Sequence, residues 1–236
     1  MDELLDSFST AAVLIVQLDS ALVEIVGLSL RVSLVAVAIG TLVGLPLGAA
    51  IAVARFHGRN LLIISVNALM GLPPVVVGLL VYLNLSNAGP FGWLNLLYTP
   101  TAMIIAQIIL VTPIIVALSR QFVEDANADY DEELRSIGVR GFAKLITLIV
   151  EVRHSLLTVV LAAFGRAIAE VGAVIVVGGN INHVTRMMTT AIALETSKGD
   201  LGLALALGLI LILLAFSVNI MASALKRLDP GPISGR

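Results

Sequence analysis

The sequence predicts an all-α membrane protein, a bundle of about five transmembrane helices with one long polar loop in the cytoplasm. Of its 236 residues, 58% are hydrophobic and 13% are charged, whereas a soluble domain carries about 25% charged residues. Residues 60–119 contain no Asp, Glu, Lys or Arg. The apolar runs are continuous and lack the alternation of a membrane barrel. We therefore expect helices, because they satisfy their own backbone hydrogen bonds in lipid.

Five apolar segments are long enough for the roughly 20 residues that a helix needs to cross a bilayer. The spans are expected at residues 22–54, 61–85, 99–119, 155–177 and 201–225. Together they predict a transmembrane domain over residues 22–228, preceded by an extracytoplasmic or interfacial segment, 1–21, and followed by a cytoplasmic tail, 229–236. A sixth span before Val32 is left open, although residues 8–18 are short for a crossing and better suit an interfacial helix.

Basic residues predict the orientation, since they are enriched in cytoplasmic loops. They cluster after the first span, after the third span and in the tail, and five spans place these three regions on one side. The residues are Arg55, Arg59, Arg120, Arg135, Arg140, Lys144, Arg153, Lys226, Arg227 and Arg236. We therefore expect a multi-pass protein of the cell membrane with its N-terminus outside and its C-terminus in the cytoplasm.

Composition argues against several other functions. The sequence has no cysteine and only three histidines, His57, His154 and His183, far apart in the chain. Neither a thiolate nor a histidine cluster is therefore expected as a metal site or nucleophile. The formal net charge of −2 does not favour nucleic-acid binding. A membrane enzyme is disfavoured, because the spans hold no paired carboxylates.

The cytoplasmic loop, residues 120–154, predicts two short helices joined at a glycine. Leu134 and Ile137 form an apolar spot on the first, and Gly138 suits a helix C-terminal cap. The second predicted helix, residues 142–150, carries an apolar face of Phe142, Leu145, Ile146 and Ile149. Apolar faces among charges suit docking into a groove of a soluble partner. A helical hairpin lying on the membrane surface is the alternative.

This loop resembles the coupling loop of binding-protein-dependent ABC importers, whose pattern is Glu-Ala-Ala, three residues, Gly, nine residues, Ile-x-Leu-Pro. Glu132, Gly138, Leu148 and Val150 occupy matching positions, whereas Glu133 and Leu134 replace the alanines and Glu151 replaces the proline. The resemblance implies a type I importer permease fold in which the loop contacts a separate ATPase subunit. The chain has no Gly-x-x-x-x-Gly-Lys-Ser/Thr loop, so no cofactor is expected on it and ATP would be used by the partner.

Further segments resemble the molybdate, sulfate and tungstate branch of this family, and most closely its tungstate permeases. They are residues 71–80, 89–107, 164–173, 177–181 and 188–200. The resemblance implies a permease, not an enzyme, that imports a tetrahedral oxyanion, with tungstate favoured over molybdate or sulfate. Its implied partners are a second copy of the chain, a dimer of cytoplasmic ATPase subunits, an extracytoplasmic oxyanion-binding protein and membrane lipid. A transporter driven by an ion gradient is the rival, disfavoured because no internal repeat is evident.

Two features inside the spans are candidates for the gate or pathway. Pro73 and Pro74 interrupt the second span, because proline removes backbone donors, and the result is either a functional bend or a static kink. Arg166 and Glu170, four residues apart, can meet on one helix face. Charges at this depth cost at least about 2.5 kcal/mol each, and the pair either braces the moving bundle or is purely structural.

Polar side chains elsewhere are further candidates. Gln107 and Thr112 in the third span offer neutral hydrogen bonds for a pathway, although Thr112 could instead bond back to its own helix near Pro113. In the last outer loop, the residues expected to face the binding protein are Asn180, Arg186, Thr189 and Thr190. A simple solvated loop with a short helix is the alternative there.

Overall fold

The computed structural model describes the backbone of residues 2–228 and the side chains of residues 7–224, and within these limits the chain is helical without strands. The helices are α1 (Asp2–Val16), α2 (Ser20–Val53), α3 (Arg59–Met70), α4 (Pro74–Leu85), α5 (Pro100–Ser136), α6 (Gly141–Glu151), α7 (Arg153–Ile168), α8 (Gly172–Gly178), α9 (Met188–Lys198) and α10 (Leu201–Leu228). A single 3-10 turn, Gly92–Leu94, lies between α4 and α5. The all-helical fold class is confirmed.

Three helices, α2, α5 and α10, are each long and apolar enough to cross a membrane unbroken. The expected second span is a bent pair, α3 and α4, whose axes differ by 97°. The expected fourth span consists of α7 followed by the short α8, and α6 lies at 70° to α7. By length and composition the described helices correspond to three membrane spans, or to five if each bent pair, α3 with α4 and α6 with α7, is counted as one. The expected cytoplasmic tail, 229–236, lies outside the described residues.

Helices α2 and α5 form the centre of the bundle because glycines let their backbones approach closely. Gly40, Gly44 and Gly48 recur every fourth residue on the buried face of α2. A Cβ atom added at Gly44 would lie 2.8 Å from Ile115, and one at Gly48 would collide with Ser119, both on α5. Small residues at this spacing are a common basis of helix packing in membranes. The pair supports the remaining helices on its flanks.

The N-terminal helix α1 is not continuous with α2. Its fifteen residues end at Val16, and Asp19 begins α2 by accepting hydrogen bonds from the backbone N–H groups of Ala21 and Leu22. Helix α1 packs against α10, where Ala11 is fully buried. At 1.5 Å per residue α1 is about 22 Å long, short of the roughly 30 Å hydrocarbon core.

Candidate functional site

The first helix break, here called the proline break, comprises residues 71–73 between α3 and α4. Pro73 adopts an extended conformation ahead of α4, and Pro74 occupies the first turn, where its missing N–H costs no hydrogen bond. A residue preceding proline is driven away from the helical region, so the two prolines together stop α3 and restart the chain as α4. None of the α3 side chains is buried in the described structure.

The second break, here called the glutamate break, comprises residues 169–171 between α7 and α8. The sequence predicted a span over residues 155–177, and the structure divides this segment into α7, which ends at Ile168, and α8, which begins at Gly172. The Glu170 carboxylate accepts a hydrogen bond from the backbone N–H of Ala173 at 3.1 Å. That bond satisfies one of the free N–H groups at the start of α8.

Arg166 and Glu170 form an ion pair, with Arg166 Nη1 at 2.5 Å from Glu170 Oε2. The pair therefore connects the last turn of α7 with the break and does not lie within one helix. The Glu170 side chain is 3% exposed, whereas that of Arg166 is 40% exposed. The Glu170 carbonyl also accepts a hydrogen bond from the Thr189 hydroxyl at 2.7 Å. Glu170 is thus fixed by α7, α8 and α9, while part of the arginine stays open.

The two breaks lie against each other because α4 packs on α8. A Cβ atom at Gly78 would lie 2.8 Å from the Ala173 Cα atom, and one at Gly172 would lie 2.7 Å from a methyl group of Val75. Both glycines are thus required for close approach of the helices that follow the breaks. The two interruptions of the bundle form one structural centre.

Two expected pathway residues lie inside the protein in this structure. Gln107 is fully buried, and its Nε2 atom donates to the Ala167 carbonyl at 3.0 Å. It therefore ties α5 to the end of α7 next to the glutamate break. Thr112 packs near Gly40 of α2, and no partner for its buried hydroxyl appears in the described part of the chain. The alternative of a bond to its own helix is not observed.

The outer loop differs from the expected partner surface. Thr189 and Thr190 are buried. The Thr189 hydroxyl donates to the Glu170 carbonyl, and the Thr190 hydroxyl accepts from the backbone N–H of Met187. These two residues cannot meet a partner in this conformation, which corrects their expected role. Asn180 donates to the Thr190 carbonyl at 3.3 Å. Arg186 lies mostly buried, 3.6 Å from the buried Glu195.

The same loop nevertheless leaves an exposed segment, residues 181–184. His183 Nδ1 lies 2.8 Å from Glu24 at the start of α2. The Tyr98 backbone N–H donates to the Val177 carbonyl, so this outer surface is joined to the neighbouring loop.

In the polar loop, the first predicted helix is the continuation of α5, which runs without a break to Ser136. Gly138 adopts a left-handed φ of 78°. The N–H of Gly138 bonds to the Arg135 carbonyl, and that of Val139 bonds to the Leu134 carbonyl. These two bonds form a Schellman motif, whose left-handed position favours glycine. The expected cap at Gly138 is present.

The apolar residues of this loop divide into an inner and an outer set. Leu134 and Leu148 are buried with Ala49 of α2 and Val123 of α5, so the two leucines anchor the loop to the bundle. The sequence placed Leu145 and Ile149 on the same exposed face as Phe142, but both pack partly into this inner cluster. The exposed set is Ile137, Phe142, Ile146 and Val150, with Ile137 72% and Phe142 74% exposed.

Ion pairs stiffen the loop and its junction with the bundle. Glu124 of α5 pairs with Arg120 and with Arg59 at the start of α3, and Arg59 also donates to the Ile51 carbonyl at the end of α2. Farther along, Asp131 pairs with Lys144 of α6 and with Arg135. The hydrogen bond from Lys144 holds the pKa of Asp131 below its usual value.

Sequence reasoning missed the structural roles of Glu124 and Asp131, although each has an arginine four residues away, Arg120 and Arg135. Their other pairs, with Arg59 and Lys144, are distant in sequence and leave no spacing signal. The expected residues Glu132 and Glu133 are exposed on the outer side of the loop. The glycine repeat on α2 was also missed, although its spacing of four residues is a recognisable signal of helix packing.

Broken helices at the centre of a spanning bundle occur where the freed backbone groups face protein or a water-filled path. Such breaks are typical of membrane transport proteins. The class that this fold defines is therefore a multi-pass membrane transport protein.

Comparison with known proteins specifies the family. The family model of the binding-protein-dependent transport system inner membrane component matches residues 44–228. The chain belongs to this family of membrane permeases.

Individual relatives cover nearly the whole chain. The tungstate uptake system permease protein TupB of Peptoclostridium acidaminophilum is 38% identical over 96% of this chain and 99% of its own length. The TupB protein of Campylobacter jejuni is 36% identical over 96% of this chain and 95% of its own length. A probable anion ABC transporter permease protein of Haloferax volcanii is 40% identical over 89% of this chain and 93% of its own length. Sulfate transport permeases match more distantly, at 26–29% identity.

Proposed function

We propose that this chain is the membrane-spanning subunit of an ATP-driven importer of tungstate. The main support for tungstate as the cargo is the similarity to two tungstate uptake permeases over nearly the full chain, at 36–38% identity. Molybdate and sulfate share the charge and tetrahedral shape of tungstate and are the alternative cargoes. The lower identity to sulfate permeases supports tungstate.

The proposed orientation places the polar loop in the cytoplasm and the N-terminus outside. It rests on the basic residues at one end of the bundle, among them Arg55, Arg59, Arg120, Arg140 and Lys144, and on the preference of such residues for the cytoplasmic side. Glu24 and His183 then face the extracytoplasmic space, where residues 181–184 offer the exposed surface for the binding protein.

The proposed contact with the ATPase is the exposed apolar set of the loop. Ile137, Phe142 and Ile146 project from the corner where α5 ends and α6 begins. An amphipathic helix that lays its apolar face in a groove is a common mode of recognition. The resemblance to the coupling loop assigns Glu132, Glu133, Gly138 and Val150 to the contact with the ATPase, and Val150 is exposed as this requires. The buried Leu134 and Leu148 connect the corner to the bundle.

In the proposed assembly two copies of the chain form the pathway, above two ATPase subunits and below the binding protein. The chain itself binds no cofactor, and ATP is hydrolysed by the partner. Closure of the ATPase dimer would move the loop and open the pathway alternately to each side. The proline and glutamate breaks, with Pro73, Pro74, Arg166 and Glu170, would form the gate region, braced by Gln107.

The function is tested by uptake into proteoliposomes that contain the permease, its ATPase and a loaded binding protein. We expect tungstate to accumulate only with ATP, and unlabelled molybdate and sulfate in excess to compete less well than tungstate. Uptake that persists without ATP but stops with an uncoupler would overturn the proposal and support a carrier driven by an ion gradient. Equal or stronger competition by molybdate or sulfate would reassign the cargo.

The coupling contact is tested separately with Phe142→Asp, which places a charge on the docking face. We expect loss of ATPase co-purification, because an unpaired charge would be buried in the groove. Phe56→Asp, at another exposed aromatic residue outside this loop, is the matched control. Gly138→Leu should weaken assembly as well, because a bulky side chain is strained at a positive φ. Intact assembly and unchanged uptake in both loop variants would contradict the assignment.

A further inference from the structure

Two basic residues lie within the expected spanning segments, Arg31 in the first third of α2 and Arg166 near the end of α7. Residues 33–53, 60–85, 100–119, 155–178 and 201–224 contain one basic residue, Arg166, and one acidic residue, Glu170. A doubly charged anion is costly to move into surroundings of low dielectric unless a positive group compensates it. Within those five residue ranges, Arg166 is the one side chain that can supply that positive charge.

The ion pair leaves the arginine available while fixing the acid. Glu170 uses one carboxylate oxygen for Arg166, the other for the Ala173 N–H, and its carbonyl for Thr189. A guanidinium has five N–H donors, and the contacts of Arg166 that the structure describes use Nη1 alone. With its side chain 40% exposed, Arg166 retains donors that can reach a second acceptor.

An open groove runs beside α7, and Gly165, the residue before Arg166, is part of its lining. The groove, of about 440 Å³, lies between α7 and α10. Thr158 and Ala162 line it, and Arg166 follows them at the four-residue spacing that keeps side chains on one helix face. Opposite them lie the small or polar residues Ala215, Asn219 and Ser223 of α10. These small side chains leave room for a hydrated anion in the groove, next in sequence to Arg166.

We propose that Arg166 is a transient binding site for the transported tetrahedral oxyanion, reached along the α7–α10 groove. A guanidinium donates paired N–H groups to such an anion. Glu170 keeps the site electrically neutral before the anion arrives, so binding is weak enough for release. This inference rests on the proposed import of an oxyanion and assigns it a contact inside the membrane.

The rival role for Arg166 is a counter-ion that only neutralises Glu170, and a double variant separates the two roles. In the reconstituted transporter, Arg166→Gln should lower tungstate uptake at least tenfold under both interpretations. The double variant Arg166→Gln with Glu170→Gln removes both charges and retains polar side chains. If Arg166 contacts the anion, uptake stays at least tenfold low in the double variant. Recovery to near wild-type uptake would overturn the inference.

Two further variants guard against a folding artefact. Arg166→Lys retains the positive charge and should keep substantially more uptake than Arg166→Gln, with assembly of the complex checked by size-exclusion chromatography. Equal uptake by the Lys and Gln variants, in assembled complexes, would contradict the inference. Ser217→Ala is the matched control, since its exposed hydroxyl on α10 donates to the Leu213 carbonyl. Absence of tungstate uptake by the wild-type complex would instead reject the proposed function itself.

Discussion

The proline break and the glutamate break interrupt neighbouring spans, but different interactions hold them. The proline break follows from backbone chemistry alone, and α3 on one side of it has no buried side chain among its described residues. The glutamate break is secured by side chains from α7, α8 and α9, with Gln107 of α5 bonded beside it. The first is a loosely packed bend and the second is a fixed joint. The comparison indicates that α3 is held less firmly than α7 and α8, whereas α4 is packed against α8.

The largest expected effect on folding stability comes from removing the Glu170 carboxylate from the glutamate break. Glu170→Ala eliminates the ion pair and the hydrogen bond to the start of α8, and it leaves a charged arginine without its partner. We expect a loss of about 3 kcal/mol of folding stability, the lower end for a broken buried pair. Reversible SDS unfolding of the purified permease measures it. A loss no larger than that of Glu132→Ala, an exposed acid in the loop, would show that the joint is not anchored by Glu170.

A smaller effect is expected where the two breaks touch. Gly78→Ala adds a methyl group close to the Ala173 Cα atom, so α4 and α8 must separate. Overpacking of this kind costs roughly 1–3 kcal/mol. Gly27→Ala, on α2 with open space around its Cα atom, is the control and should not destabilise the protein. Equal unfolding curves for the two variants would contradict the close packing of α4 on α8.

A mutation in the proline break should change transport more than it changes folding stability. Pro74→Ala removes a ring from the first turn of α4 without breaking a backbone hydrogen bond, so stability should change by less than about 1 kcal/mol. The variant also removes the restriction that Pro74 places on residue 73, which loosens the bend, while Pro73 still interrupts the helix. We expect several-fold lower uptake in proteoliposomes with an unchanged unfolding midpoint. A large loss of stability with normal uptake would reverse the distinction between bend and joint.

The smallest expected effect concerns the exposed corner between α5 and α6, which also depends on an acid. Because the folded-state pKa of Asp131 is lowered by Lys144, its stabilising contribution is fully present above the unfolded value of about 4. The contribution is lost as the pH falls through the lower, folded-state pKa.

The melting temperature of the wild type minus that of Asp131→Asn should therefore be positive and constant from pH 7 to pH 5, and shrink below about pH 4. Asp125→Asn, on the same helix, is the matched control. A difference that grows on acidification would contradict the pairing with Lys144.

The proline break could be predicted from the sequence because its cause is local: Pro73 and Pro74 restrict the backbone wherever they occur. The cap at Gly138 was predictable for the same reason. The glutamate break could not be predicted, because the helix ends where Glu170 finds partners on α8 and α9. The burial of Thr189 and Thr190 likewise depends on residues distant in sequence. Hydrophobicity predicted the apolar segments, but only the packed structure reveals which side of each helix faces inward.

Helix α5 continues for 37 residues, from the outer loop to the corner at Gly138, which corresponds to about 55 Å of unbroken helix. The glycine repeat of α2 holds it along much of its length. In the proposed assembly, a displacement that reached the end of α5 from the ATPase side would be passed along this helix as a tilt, because α2 packs against it. The size of the movement at the far end would then depend on the length of α5.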